Sequence, residues 1–410
     1  MVLRDKVWEA LVTLDVDTQL IEGIKSLYQK SIAVVRVNDL RTKPFQVSRG
    51  LRQGCPLSPL LFIATFDQVL KHMQQQKLGF NLENDVFLNT LAFADDTVLV
   101  GLDKNEIKSL LELFERKCVD LGFKINVKKT KYMVIHRFLD VDLDVKLMVR
   151  GEEIERVKNF QYLGSMLSEV GDSGVELDER FKKVGKAFGA YSRFINNRRG
   201  LSINSKMKIV RGVFVPSVKY SLETVCLKKD EERRLDVTQM KWLRRVCGVS
   251  LLNRLHNEII RVNCDMEPKL SSIVRSEQLR YAGHILRMNE NRFPKKLLFW
   301  LPPVEWKRPQ GLYPKRWWDV VRQTLKTVGI YAKLGFGDDL QLIEAYAENR
   351  TEWRNAVYRI RAEIDDEITL STPTEPLGTA PAVPPPVRPP GSALYIQSLG
   401  FSLSVCREVT

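Results

Sequence analysis

The 410-residue sequence lacks the patterns that define disulfide-rich, zinc-binding and membrane proteins. Its six cysteines are widely scattered, form no C-x-x-C pair and have no histidine at close ligand spacing. Structural zinc sites need such ligand spacing, and disulfide frameworks are typical of short secreted chains dense in cysteine, so we expect reduced thiols and a nuclear or cytoplasmic location. There is no signal peptide, and the most apolar stretch, 57–70, is interrupted by Asp67. We therefore expect a soluble protein without a membrane partner.

The charge balance is strongly basic. The chain has 64 Lys and Arg residues against 50 Asp and Glu residues, a formal net charge of +14 that is spread along its length. Such a surplus favours a polyanionic partner, because each neutralised phosphate releases condensed counterions. Charge alone does not separate a nucleic-acid-binding protein from a ribosomal, membrane-surface or simply soluble one. The apolar fraction of 44% and the length suffice for two or three globular domains.

Apolar periodicity predicts a mixed first part and a helical remainder. Two β-branched runs within 31–47 predict a strand pair, and "FQYLGSML" predicts a short strand with a glycine turn. Beyond Ser371, the sequence "TPTEPLGTAPAVPPPVRPPG" cannot build a packed core and is expected to be disordered. The segments with helical spacing are 7–27, 57–76, 105–121, most of 174–292, and 339–367.

The paired carboxylates of Asp95 and Asp96 are the sharpest chemical feature. Short apolar runs on both sides predict a β-hairpin with the two acids at its tip. Like charges held this close raise each other's pKa unless a cation is bound. Because Mg²⁺ binds through one or two carboxylates plus substrate phosphates, the pair suits two-metal phosphoryl transfer. Taken alone, a plain acidic turn is the simpler interpretation, since Asp is common in hairpin loops.

Two further segments carry groups suited to a nucleotide. "SRGLRQGCPLSPLLF" is a glycine-rich turn into a helix, where the backbone at Gly54 can approach a nucleotide or template closely. "LGFKINVKKTKYMVI" places Lys128 and Lys129 near a strand, where they suit phosphate contact. Considered separately, the simpler interpretations are an ordinary helix start and a solvated charge run.

In their order and approximate spacing, five segments resemble the palm of non-LTR (LINE-type) retrotransposon reverse transcriptases. They are "SLYQKSIAVVRVN", "VSRGLRQGCPLSPLLF", "LAFADDTVLV", "LGFKINVKKTKYMVI" and "FQYLGSML". The resemblance implies RNA-directed DNA polymerase activity with two Mg²⁺ ions, an RNA template, a DNA primer and dNTPs. The implied site residues are Asp95 and Asp96 as catalytic and metal-binding residues, Arg52, Gln53, Gly54, Pro56, Ser58 and Lys129 as nucleotide- or template-binding residues, and Tyr162, Leu163 and Gly164 as the primer grip.

The resemblance extends beyond the palm. "YAGHILRM", "KRWWDVVR" and "NRTEWR" are similar to the thumb and carboxy-terminal region of the same elements, and group II intron maturases and viral RNA polymerases lack the first two. The implied fold class is α+β, with an antiparallel palm sheet and helices; the oligomeric state stays unassigned. The expected domains are a partial palm at 1–168, a helical thumb and connector at 169–292, a basic Trp-rich region at 293–370 and a Pro-rich disordered tail at 371–410.

Several departures from the family pattern accompany these matches. In that family a further aspartate in an Ala-Phe-Asp context precedes the Trp-x-x-Leu helix, and counting back from Trp8 places it at or before the first residue. Asp5 does not fit, because "LRDKVW" matches the following segment; the fingers and endonuclease are also missing. Gln310 and Leu312 replace arginines usual in relatives. We expect an incomplete, inactive or nearly inactive site, since misplacement by about 1 Å can cost around a hundredfold.

A non-enzymatic nucleic-acid-binding remnant of a retroelement is the alternative. Basic and aromatic residues interleave in the Trp-rich region, where the tryptophans could stack on bases and the basic residues could neutralise the nucleic-acid backbone. An equally good interpretation is that the tryptophans lie in the core and the lysines face solvent. Salt-dependent binding without dNTP incorporation would select this alternative, whereas absence of a cooperative thermal transition would indicate a translated pseudogene. His284 is expected to be a buried, hydrogen-bonded residue and not a ligand. The nucleic-acid-binding candidates in this region are Lys307, Arg308, Lys315 and Arg316.

Overall fold

The structure is a computed structural model that describes residues 2–83, 86–135, 145–196, 200–300, 316–327, 340–367 and 402–406. The chain divides into two compact units. Within the described residues, the first unit comprises 2–163, 167–171 and 402–406, and the second comprises 164–166 and 172–367. None of the helices in these ranges is both long and apolar enough to span a membrane.

Four helices provide most of the core of the first unit. Asp17 and Asp103 each precede a helix and accept hydrogen bonds from its first free backbone N–H groups, which fixes where two of the helices begin. The predicted helices at 57–76 and 105–121 are confirmed, and so are the helices predicted within 7–27, which are two in number and joined by a turn. The four are α1 (Arg4–Thr13), α2 (Thr18–Gln29), α3 (Ser58–Gln74) and α4 (Lys104–Asp120).

Within the described residues, the main sheet of the first unit consists of β7 (Thr90–Phe93), β8 (Asp96–Gly101), β9 (Lys131–Val134), β12 (Glu155–Arg156) and β15 (Ser402–Cys406). Their order in the sheet is β12, β9, β15, β8, β7. β7 and β8 form an antiparallel hairpin, and β12 runs parallel to β9. β15 is antiparallel to both of its neighbours, so it separates β8 from β9. Residues 371–410 were expected to form a disordered tail, but residues 402–406 form this strand, and the rest of that tail lies outside the described residues.

In the part of the chain that the structure describes, ten further short strands form two-stranded sheets. The predicted β segment at 31–47 contains two of these sheets. The pairs are β1 (Ile32–Ala33) with β4 (Phe45–Gln46), β2 (Arg36–Val37) with β3 (Leu40–Arg41), β5 (Phe80–Glu83) with β6 (Val86–Leu88), β10 (Met148–Val149) with β11 (Glu152–Glu153), and β13 (Asn159–Tyr162) with β14 (Ser165–Ser168).

The described part of the second unit is helical and has two apolar cores. Phe214, Trp242 and Leu243 lie in one core, and Trp318 and Trp353 lie in the other. The helices are α5 (Ser173–Asn196), α6 (Ile203–Ile209), α7 (Val215–Lys219), α8 (Lys229–Cys247), α9 (Asn257–Asn263), α10 (Leu270–Leu286), α11 (Phe293–Phe299), α12 (Trp317–Thr327), α13 (Leu340–Glu348) and α14 (Arg350–Glu367). The described architecture is therefore α+β, with the strands concentrated in the first unit.

Candidate active site

The two aspartates lie at the turn of the β7–β8 hairpin, as predicted. Phe93 pairs with Asp96 across the hairpin, which leaves Ala94 and Asp95 as a two-residue loop. Ala94 has a φ of 53°, in the left-handed region that two-residue hairpin turns require. Both aspartates are half-buried. The hairpin therefore holds two adjacent carboxylates where each keeps partial access to solvent.

The strand that follows the turn anchors the acids on a rigid base. Val98, Leu99 and Val100 are almost fully buried. Leu99 lies in the helical core of the unit, whereas Val98 and Val100 pack with Phe160 in a separate apolar cluster. Because side chains alternate along a strand, Asp96 lies on the same face as Val98 and Val100. The buried strand thus fixes which face of the sheet carries the Asp96 carboxylate.

Tyr162 lies beside this acid on the same face. It is a partly buried member of the cluster that contains Val98, Val100 and Phe160. Burial raises the pKa of the Tyr162 phenol, and the negative charge of Asp96 raises it further. The structure therefore brings together Asp96 from the acidic hairpin and Tyr162 from the predicted primer grip, although they are 66 positions apart in sequence.

The donor set fits a divalent cation only in part. Two adjacent carboxylates are hard oxygen donors of the kind that Mg²⁺ accepts, with water and phosphate oxygens completing its shell. In the part of the chain that the structure describes, no group of three or more His, Cys, Asp or Glu side chains could hold a metal ion. Asp5, at the exposed start of α1, adds no ligand to the pair. The described residues thus supply two carboxylate donors and no third.

The glycine-rich turn before α3 is held in place by its own polar side chains. Arg52 donates hydrogen bonds to the Leu27 carbonyl and to the Ser31 hydroxyl, and its guanidinium lies 5.4 Å from the centre of the Tyr28 ring. Ser58 is buried, donates to the Arg52 carbonyl at 2.6 Å and lies 3.1 Å from the Tyr28 hydroxyl. Two of the predicted nucleotide-binding residues therefore hold the loop itself.

The tip of this loop is open. Gly54 has a φ of 82° and is exposed, with no atom within 4 Å of the position a Cβ would occupy. Gln53 and Pro56 are also exposed. A cavity of about 510 Å³ is lined by residues between Leu51 and Phe62, and neither aspartate of the hairpin lines it. The positive φ fits glycine, and the open space lets a ligand approach the backbone.

Lys129 lies in an exposed turn just before β9. Its backbone N–H donates to the carbonyl of Asn126 at 3.1 Å, which closes the turn. The nearby Lys131 is paired with Glu155 of β12. Both lysines therefore lie at the start of β9, and Lys129 is the more exposed of the two.

The predicted primer grip forms the turn of the β13–β14 hairpin. Leu163 and Gly164 have φ values of 46° and 84°, and two consecutive positive φ values characterise a two-residue hairpin turn. Gly164 belongs to the second unit, where its carbonyl accepts a hydrogen bond from Arg180 at 2.7 Å. A Cβ at this glycine would lie 3.2 Å from the ring of Tyr220.

A buried ion pair beside Gly164 was missed by the sequence analysis. Arg180 Nε donates to Glu176 at 2.5 Å, both side chains are about 95% buried, and the guanidinium lies 4.7 Å from the centre of the Tyr220 ring. Glu176 also accepts a hydrogen bond from the backbone N–H of Met166. The available signal was an acid and a base four residues apart on a helix, which usually indicates a surface pair.

The Trp-rich region gives mixed results. Lys307, Arg308 and Lys315 lie outside the described residues, and Arg316 is exposed at the start of α12. Trp318 is 7% exposed, and Trp317 donates its indole N–H to the Glu223 carbonyl at 2.7 Å, so these two residues have a core role. The prediction of a buried His284 is wrong, because the residue lies on the exposed side of α10.

Comparison with known proteins gives the following matches. Residues 2–167 match the family model described as reverse transcriptase (RNA-dependent DNA polymerase). A transposon-derived protein of Caenorhabditis elegans is 26% identical over 277 residues, which cover 66% of this chain and 96% of that protein. The Pol polyprotein of the type-1 retrotransposable element R2 from Popillia japonica is 27% identical over 238 residues, 54% of this chain and 31% of the polyprotein.

A second R2 polyprotein, from Nasonia vitripennis, is 25% identical over 160 residues, 37% of this chain and 15% of the polyprotein. The chain thus spans nearly all of the nematode relative but less than a third of either R2 polyprotein.

Proposed function

Because residues 2–167 form a reverse transcriptase domain of the non-LTR retrotransposon class, we propose that the β7–β8 hairpin carries the metal-binding part of an RNA-directed DNA polymerase site. The observation that supports this is the pair of half-buried carboxylates on a rigid hairpin, with Asp96 beside Tyr162. Asp95 and Asp96 would hold Mg²⁺. When bound, the metal ions activate the primer 3′-hydroxyl and neutralise charge on the leaving pyrophosphate.

The two predicted binding loops contribute backbone and charge. We propose that the exposed backbone at Gly54 contacts the incoming nucleotide or the template, with Gln53 and Pro56 beside it. Arg52 and Ser58 act indirectly in this proposal, because their hydrogen bonds hold the loop in the conformation that exposes Gly54. Lys129 would contact phosphate oxygens.

The Tyr162-Leu163-Gly164 turn is proposed to position the primer end. A tight turn with two residues at positive φ exposes backbone groups without bulky side chains around them. In the same proposal, residues 1–168 act as the palm, 169–292 as the thumb and connector, and 293–370 as an accessory basic region. RNA template, DNA primer and dNTPs are the proposed partners, in the nucleus or cytoplasm.

We expect this chain by itself to be inactive or nearly so. Two metal ions need more oxygen donors than two neighbouring carboxylates provide, and the described residues place no third acid in the group. A displacement of about 1 Å already lowers rates around a hundredfold, so an incomplete ligand set is a severe defect.

A primer-extension assay on an RNA template, run with enzyme in excess over primer, tests the activity. We expect at most trace incorporation with Mg²⁺, and that trace should disappear in Asp95→Asn. Asp39→Asn, in an exposed turn of the same unit, is the matched control. Robust incorporation that needs Asp95 would show that the site is complete, whereas incorporation unaffected by Asp95→Asn would show that the assignment of Asp95 is wrong.

Metal binding tests the site separately from turnover. Mn²⁺ binding, followed by electron paramagnetic resonance, should weaken in Asp95→Asn and in Asp96→Asn but not in Asp39→Asn. Unchanged Mn²⁺ binding in both site variants would show that Asp95 and Asp96 do not bind the metal ion. The alternative function, a non-enzymatic nucleic-acid-binding remnant, predicts salt-dependent RNA or DNA binding that is the same in the wild type and both site variants, together with no incorporation.

A further inference from the structure

Two cysteines of the second unit lie with their sulfur atoms in contact. Cys247 is the last residue of α8, and Cys264 directly follows α9, 17 positions further along the chain. Both are free thiols, and their Sγ atoms are 3.4 Å apart. A covalent S–S bond is about 2.0 Å long, so a small movement of the two side chains would bring the sulfurs to bonding distance.

The two helices that carry the thiols are held together by contacts in which neither sulfur takes part. Arg244 of α8 donates to the Leu255 carbonyl at 3.4 Å and to Asn257 at 2.9 Å, which ties the end of α8 to the start of α9. Arg261 of α9 donates to Gln239 of α8 at 3.0 Å. The proximity of the two thiols is therefore a property of the fold and does not depend on their own hydrogen bond.

The turn that follows α9 fixes the backbone of Cys264. The Cys264 carbonyl accepts a hydrogen bond from Arg211 at 3.4 Å, and Arg211 is also paired with Asp265 and with the buried Glu267. Asp265 and Met266 have φ values of 65° and 51°. Non-glycine residues keep this left-handed conformation only where the surroundings impose it, so the turn is held by its contacts. The Cys264 sulfur is thus kept at a defined place beside its partner.

The two thiols differ in exposure and in acidity. Cys264 has no exposed surface, whereas Cys247 is half-buried. Burial is the main reason that the pKa of the Cys264 thiol is raised to about 12, and its hydrogen bond with Cys247 acts in the same direction. Cys264 therefore keeps its proton at neutral pH, and an oxidant that arrives from solvent meets Cys247 first.

We propose that Cys247 and Cys264 form a site of reversible oxidation, at which a peroxide links the end of α8 to the end of α9 through a disulfide bond. In the first step the Cys247 sulfur attacks a peroxide oxygen and the O–O bond breaks, which leaves a sulfenic acid at Cys247 and releases water or an alcohol. The Cys264 sulfur then attacks the Cys247 sulfur, the S–O bond breaks, and the hydroxyl leaves with the Cys264 proton as water. The two thiols together lose two electrons, and the peroxide accepts them.

The bond would close the chain between positions 247 and 264 into a covalent loop. A disulfide restricts the unfolded chain, and for a loop of about 15 residues this lowers the unfolding equilibrium constant by about a hundredfold. Oxidation would therefore brace the part of the second unit where α8 and α9 meet. The inference is independent of the proposed polymerase, because no residue of the β7–β8 hairpin or of the binding loops takes part.

The test is treatment of the folded full chain with hydrogen peroxide, followed by alkylation of the remaining thiols, trypsin digestion without reductant and mass spectrometry. Trypsin releases the two cysteines in separate peptides, 246–254 and 262–269. We expect these peptides to appear joined by a disulfide after peroxide and to separate again with dithiothreitol.

Two variants separate the roles of the thiols. In Cys264→Ala, dimedone should label Cys247 about tenfold more than in the wild type, because the sulfenic acid has no thiol to condense with. Cys226→Ala removes another partly buried thiol of the same unit and is the matched control, so it should form the joined peptides as the wild type does. Circular dichroism establishes that the variants fold, and the result for the wild type depends on neither of them.

Several results would overturn the inference. They are the absence of the joined peptides at peroxide concentrations that oxidise Cys55, their formation only in urea, and linkage of Cys247 to Cys226 as often as to Cys264. Equal dimedone labelling of Cys247 in the wild type and in Cys264→Ala would also overturn it.

Urea unfolding of the oxidised and reduced wild type, followed by circular dichroism, tests the bracing effect. We expect the unfolding equilibrium constant of the second unit to be at least about tenfold lower in the oxidised form. Equal unfolding curves would show that the bond does not brace the fold. Disulfide formation without dNTP incorporation would leave this inference standing while the proposed polymerase fails.

Discussion

Removal of the Arg180 guanidinium is predicted to destabilise the second unit strongly. Glu176 and Arg180 are 3% and 4% exposed, so neither charge is compensated by water. Arg180→Met keeps the aliphatic bulk but leaves the Glu176 carboxylate buried without its cation. Breaking a buried ion pair in this way costs about 3–5 kcal/mol, a large fraction of the roughly 5–15 kcal/mol that stabilises a typical domain. The substitution also removes the hydrogen bond to the Gly164 carbonyl.

The measurement is urea-induced unfolding followed by circular dichroism, with hydrogen exchange at the Met166 amide as a local probe. Lys182→Met is the control, because Lys182 forms a pair with Glu179 on the same helix with a side chain 71% exposed. Exposed pairs contribute about 0–1 kcal/mol, so the control should unfold near the wild-type midpoint. The double variant Glu176→Gln/Arg180→Met should recover part of the loss, since the unpaired charge is gone.

A loss for Arg180→Met within about 1 kcal/mol of that for Lys182→Met would contradict a buried pair. Unchanged exchange at Met166, whose N–H donates to Glu176, would contradict its role in holding the turn.

Three further predictions concern the first unit and the thiols. Asp96→Asn should lower the pKa of Tyr162 because it removes the nearby negative charge, but the pKa should stay above the ordinary tyrosine value because burial, the larger cause, remains. Ultraviolet titration measures this pKa, with Tyr162→Phe as the reference that lacks the phenol. An unchanged pKa would show that the charge of Asp96 does not act on Tyr162. Cys55 should react with an alkylating reagent faster than Cys264 at pH 8, because hydrogen bonds lower the pKa of the Cys55 thiol, whereas burial raises the pKa of the Cys264 thiol to about 12. Mass spectrometry measures the two rates, and equal rates would contradict this difference in pKa. Val405→Pro should reduce hydrogen-exchange protection in β8 and β9, because proline removes a backbone hydrogen-bond donor from the strand between them. A proline added in the Pro-rich segment is the control and should leave this protection unchanged. Unchanged protection in Val405→Pro would contradict the pairing of β8 and β9 with β15.

Local patterns in the sequence sufficed for the elements that depend on near neighbours. The buried face of α4 follows from apolar residues three and four positions apart, because that spacing places side chains on one side of a helix. The acidic hairpin follows from apolar runs on both sides of Asp95 and Asp96, and its tight turn needs only two residues. The family was recognisable from the order of short segments, since each segment forms a local structure of its own.

Side-chain roles that depend on partners far away in the chain could not be predicted from local sequence patterns. Arg52 and Ser58 carry groups that suit a nucleotide, yet their contacts with α2 and with their own loop hold the turn. His284 has no local signal for its exposure, because the side of α10 that is buried is set by the helices packed against it. An acid and a base four residues apart, such as Glu176 and Arg180, look alike in sequence whether water or protein surrounds them.

The sequence by itself thus determined the helices, the acidic turn and the family resemblance, because these depend on residues close together in the chain. Tertiary structure alone decided that β15 pairs between β8 and β9, that Tyr162 lies beside Asp96, and that the sulfurs of Cys247 and Cys264 are in contact. The physical reason is that burial, pairing and the compensation of charge are properties of surroundings, and those surroundings come from parts of the chain far away in sequence.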